Sequence, residues 1–166
     1  YDRIRVNAAG DNLFMHPGLY CVDEDFVING GSLIGHGVTI YIINGDFDSA
    51  GSAHIELSAP TLAQCEYCDP DEEVCNCPPA IQGVLLYLAE GNTGEISLLG
   101  DSASFYTGTV YAPNGMIEAG GTGSEMSTVY AQLIGDTIFL HGNTDVQVVF
   151  DGNNNYEVPT LLELHR

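Results

Sequence analysis

The chain has 166 residues, 45% of them hydrophobic, and a formal net charge of −20. A chain of that length suits one domain with one core, and its apolar fraction excludes a disordered acidic tail. Apart from histidine, its only basic side chains are Arg3, Arg5 and Arg166, so the rest presents an acidic surface that repels nucleic acid and anionic membrane and favours cations.

Residues 1–19 read as a lead-in or cap. Arg3-Ile4-Arg5-Val6 alternates polar and apolar, as an edge strand does, and Asn12, Pro17 and Gly18 then break the pattern. From 20 to 155 short β-type runs recur. Phe26-Val27-Ile28 meets Asn29-Gly30-Gly31, the run from Val38 to Ile43 meets Asn44-Gly45, and Ile55-Glu56-Leu57 stops at Pro60. Residues 61–83 interrupt the pattern with four cysteines and the pair Pro78-Pro79, as an insertion between two rungs would. The runs resume at Val84 and continue through Ile96-Ser97-Leu98, Ile117, Ile138-Phe139-Leu140 and Val146 to Phe150. Residues 156–166, with Leu161, Leu162 and Leu164, suit a terminal cap. No stretch reaches the roughly 18 to 20 apolar residues that cross a bilayer. The chain opens on Tyr1 without an initiator Met, and is expected to be a mature or trimmed, exported form.

Four runs read alike: Thr39-Ile40-Tyr41, Leu85-Leu86-Tyr87, Thr109-Val110-Tyr111 and Thr128-Val129-Tyr130. The tyrosines are 24 residues apart from Tyr87 to Tyr111 and 19 apart from Tyr111 to Tyr130. Short strands and glycine turns recurring every ~20 residues predict an all-β, single-domain β-solenoid, a right-handed parallel β-helix. Asn-Gly is also a hairpin signal, so the alternative is an antiparallel β-sandwich. Asn and Gly equally suit solenoid corners, because they tolerate left-handed backbone angles. Strand parity puts Val38, Ile40, Ile42, Val84, Leu86, Leu88, Val110, Ala112, Val129, Ala131 and Leu133 inside. The opposite face then carries Thr39, Leu85, Thr109 and Thr128, followed by an exposed ladder of Tyr41, Tyr87, Tyr111 and Tyr130.

Cys65-x-x-Cys68 and Cys75-x-Cys77, with Cys21 upstream, could bind zinc through four thiolates. In an exported chain they are disulfide candidates instead, with one thiol left over or bridging to a neighbour. Glu66, Asp69, Asp71, Glu72 and Glu73 supply oxygen at a density that could hold Ca²⁺, although no EF-hand spacing is present. No other cofactor is expected. Catalysis is not expected either. The body has no lysine or arginine, and no serine lies in a Gly-x-Ser-x-Gly elbow. Asp46, Asp48 and Glu56 lie close in sequence, as chance would often place 23 acids. His36, His54 and His141 read as structural or exposed.

Several motifs follow one another in order: Gly18-Leu19-Tyr20-Cys21, Gly37-Val38-Thr39-Ile40-Tyr41, Ile55-Glu56-Leu57-Ser58-Ala59-Pro60, Gly83-Val84-Leu85-Leu86-Tyr87 and Gly108-Thr109-Val110-Tyr111-Ala112-Pro113-Asn114. This order, over about residues 18–150, resembles the C-terminal glycine-rich region of TadE/TadG-like proteins of tight-adherence (Flp) pilus assembly and related bacterial surface proteins. The resemblance implies an exported, non-catalytic, pilus-linked or adhesive protein and brings no catalytic residues. The transmembrane helix typical of such proteins and a cysteine-rich insertion are two points of departure. The expected role is a structural subunit of a surface filament. Its partners would be copies of itself or other pilus proteins, met through the strand Arg3 to Val6, through Arg166 and through the tyrosines. The rival is an adhesin that holds glycan on the tyrosine face or through Ca²⁺.

Overall fold

The computed structural model describes residues 1–50, 52–61, 80–121, 128–142 and 155–156. These form twelve strands and no helix: β1 (Ile4–Val6), β2 (Asn12–Met15), β3 (Gly18–Val22), β4 (Phe26–Ile28), β5 (Ser32–His36), β6 (Val38–Ile42), β7 (Phe47–Ser49), β8 (His54–Ser58), β9 (Val84–Leu88), β10 (Glu95–Leu98), β11 (Phe105–Gly121) and β12 (Thr128–Gly142). Every described strand pair is parallel, which excludes the antiparallel sandwich. The strands stack as a β-solenoid of about five turns.

Each turn contributes to three faces. The first face stacks β1, β4, β7, β10, residues 116–119 of β11 and residues 137–140 of β12. The second stacks β2, β5, β8, residues 105–107 and residues 128–130. The third stacks β3, β6, β9, residues 109–111 and residues 132–134. Side chains alternate in and out, so each face sends apolar columns inward. On the first face Ile4, Phe26, Phe47, Ile96, Ile117 and Ile138 stand in register. Their spacing is 21 or 22 residues, except for the longer step from Phe47 to Ile96, which contains the interruption at 61–83.

The corners need glycine where the chain reverses tightly. Gly31, between β4 and β5, has φ of 76°, and an added Cβ would overlap the Asp11 carbonyl of the preceding turn. The core holds one polar knot. Tyr106 is fully buried, and its hydroxyl lies 3.0 Å from Ser49 Oγ and donates to the Leu99 carbonyl. Ser49 Oγ in turn donates to the Ser97 carbonyl at 2.6 Å and accepts from the Leu99 N–H at 2.9 Å. Burial pushes the Tyr106 phenol far above its ordinary range, so it stays a donor.

Two expectations change. Residues 1–19 are not a lead-in: β1, β2 and β3 make a complete first turn, and Val6 is 4% exposed. Rung-to-rung register also departs from motif spacing. Thr128-Val129-Tyr130 pairs with Phe105-Tyr106-Thr107, not with Thr109-Val110-Tyr111. The step between these turns is 23 residues, not the 19 the motif spacing implies, because the chain spends four more residues before it reaches the third face.

Candidate functional site

The third face carries the tyrosine column. Tyr41, Tyr87 and Tyr111 stand in register, with ring centroids 5.0 and 5.2 Å apart and planes tilted by 49° and 54°. All three are half-buried. Burial, with the neighbouring phenols and Glu90, raises the Tyr87 hydroxyl above its ordinary value. Tyr130, expected as the fourth rung, is on the second face in line with Thr107, Ser58 and His36. Ile134 takes the place beside Tyr111.

The threonines expected on the exposed side are not exposed. Thr39 is fully buried; its hydroxyl donates to the Val84 carbonyl at 2.8 Å and accepts from the Ile81 N–H at 2.9 Å. Thr109 accepts from the Tyr156 N–H at 2.9 Å. Residues 80–83 and 155–156 thus lie over the column, and an added Cβ at Gly83, with φ of 74°, would overlap Asn155. Leu85 is the extra residue of a register shift between β9 and β11 and is buried as well. An apolar hollow of about 430 Å³ remains between Ile81, Tyr87, Tyr111, Ile134 and Tyr156.

The first face gathers acid. Asp46, Asp48, Glu95 and Glu118 line a groove of about 200 Å³. Burial, a hydrogen bond with Glu118 and the charges of Glu118, Asp46 and Asp48 push Glu95 up to about 7. Glu118 also meets His141 Nε2 at 2.5 Å. Glu56, close to Asp46 and Asp48 in sequence, is on the second face with His36, His54 and Asp101. Neither Glu95, Glu118 nor Asp101 stood out in the sequence. The 21-residue step is the signal that aligns Ser97 with Glu118. Among the described residues no group of three or more His, Cys, Asp or Glu is placed to hold a metal ion.

Among the described residues, no further strand pairs with the first turn or with the last. At one end β1, β2 and β3 each have a single strand partner, and Ile4, Leu13, Phe14, Met15 and Tyr20 line a hollow of about 680 Å³. Arg3 and Arg5 belong to this end but are engaged within the chain, Arg3 with Glu24 and Arg5 with Asp25 at 3.8 Å. The strand expected to be available for donation is thus built into its own first turn. At the other end Ile138 is 44% and Leu140 51% exposed, although they continue columns in which Ile117 and Ala119 are fully buried.

Cys21 stands exposed beside Tyr41 with a free thiol. The other disulfide candidates Cys65, Cys68, Cys75 and Cys77, the Ca²⁺ candidates Asp69, Asp71, Glu72 and Glu73, and Arg166 lie outside the described residues.

Among the described residues, fold and surface define a parallel β-solenoid with an aromatic face and an acidic face. No protein-family model, curated protein or solved structure matches the chain.

Proposed function

We propose that the protein is a non-catalytic structural subunit, working outside the cell, that stacks end to end with copies of itself. One observation carries this reading: the same apolar columns run from the first turn to the last described one. Ile4 and Val6 begin the columns that Ile138 and Leu140 end. A second copy placed on the last turn would continue both the backbone ladder and the apolar columns. Such a contact is head-to-tail, and one that does not close on itself builds a fibre. The pilus-like role implied by the order of sequence motifs agrees with this reading.

Electron microscopy of the purified chain tests it, beside the Ile138→Asp/Leu140→Asp double variant. Both positions are exposed, so the fold should survive the change. Filaments are expected from the parent and single particles from the variant. Filaments that persist in the variant, or a parent that stays dispersed, would overturn the reading. A glycan-binding adhesin is the second reading, favoured by the uncharged hollow beside Tyr87 and Tyr111. Binding on a glycan array that is lost in Tyr87→Ala would support it.

A further inference from the structure

On the second face side chains around His54 join three consecutive turns. His54 of β8 lies between two carboxylates. Its Nδ1 is 3.2 Å from both oxygens of Asp101 in the next turn, and its Nε2 is 3.0 Å from Oε1 of Glu56. The other Glu56 oxygen is 3.7 Å from Nε2 of His36 on β5, in the turn before. Asp101 is held in place by the Ala103 N–H at 3.0 Å and the Ser104 hydroxyl at 2.9 Å.

Backbone pairing is short at this joint. Between β8 and β11 only residues 56–58 and 105–107 are in ladder register. Upstream the turns meet through the Asp101 N–H donating to the Ala53 carbonyl at 2.9 Å and the Ile55 N–H donating to Ser104 Oγ at 2.8 Å. The interruption at 61–83 begins three residues after β8.

A neutral imidazole donates from one nitrogen only, whereas an imidazolium donates from both. Two carboxylates facing the two nitrogens of one ring therefore suit the charged form. We infer that His54 is a proton-operated clamp, fastening the third turn to the fourth through Asp101 and, by way of Glu56 and His36, to the second. This inference does not rest on end-to-end stacking.

Among the described residues, the charged groups facing His54 are Glu56 from its own strand and Asp101 from the segment after β10. From β5, Ser32 is its register partner, and His36 reaches the far side of Glu56. Burial alone would lower the His54 pKa; the hydrogen bonds and charges of Asp101 and Glu56 outweigh it and raise the group above its ordinary value. Burial would raise Asp101, but hydrogen bonds from Ser104, His54 and the Ala103 N–H, with the His54 charge, hold it below the usual carboxylate range. The histidine's contribution is complete below its unfolded value of about 6.5 and is lost as pH rises through the higher folded value. The aspartate's contribution is present above its unfolded value and is lost as pH falls through the lower folded one. The clamp is closed in mildly acidic solution and opens on the alkaline side.

Two measurements on the full chain test this. An NMR titration of the His54 ring should give a midpoint above that of histidine in a short peptide; a midpoint at or below it would overturn the clamp. Thermal melts of the parent and His54→Gln should differ by several degrees at about pH 5.5 and converge at a pH above the folded midpoint that the titration gives. A gap of the same size at both pH values would mean packing alone, and no gap at either would mean that the bridge holds nothing. Both results overturn the proposal.

Discussion

The first and third faces obey one geometric rule with opposite consequences. In a parallel solenoid a residue and its equivalent one turn later stand side by side, so outward groups of successive turns crowd together. On the third face the stacked groups are phenols, and Tyr41, Tyr87 and Tyr111 gain contact from each repetition. On the first face the carboxylates of Asp46, Asp48, Glu95 and Glu118 gather around one groove, and their charges repel. Glu95 answers by keeping its proton up to about 7. The acidity of the chain is therefore a load on the stacking of its first face.

Breaking the middle of the aromatic column should show the largest effect. Tyr87→Ala removes both ring pairs, worth about 0.5–1.5 kcal/mol each beyond the area they bury, and so should cost roughly 1–3 kcal/mol or more in urea unfolding. Tyr130→Ala is the control, since that ring is off the column; an equal loss there would mean that the column has no special role. The acidic face should respond in the opposite sense. The folded value of Glu95 is raised, so the parent loses stability as pH rises from about 4.5 to about 7. Glu95→Gln cannot lose that proton and should melt higher than the parent above neutrality while matching it near pH 4.5. A variant that melts lower at pH 8 would contradict the repulsion. The smallest effect belongs to the rim of the first turn. Arg5→Ala loses a half-exposed ion pair with Asp25 and should change stability by about 0–1 kcal/mol, less as salt is added.

Much of the fold was legible in the sequence. Strand parity is a local property, so the inward residues Val38, Ile40, Ile42, Leu86, Leu88 and Val110 could be read from alternation alone. The glycine corners and the ~20-residue recurrence together identified the solenoid. Tyr41, Tyr87 and Tyr111 were legible as a column because their turns repeat with the same pattern. Tyr130 was misplaced because its motif matches theirs while its register does not. Alternation also bears on Thr39 and Thr109. Parity does point them away from the interior, but residues 80–83 and 155–156 come back to cover them.

The sequence by itself determined the class of fold, the alternation of each strand and the acid balance of the surface, because each follows from a residue and its near neighbours. Only the tertiary structure decided which residue lies beside which across the turns. It brought Glu95 against Glu118, His54 against Asp101, and the first turn and the last described one into the same columns. The physical reason is cumulative: each corner adds or drops a residue or two, a single residue's slip reverses the face a side chain occupies, and the sum over a whole turn sets every lateral contact.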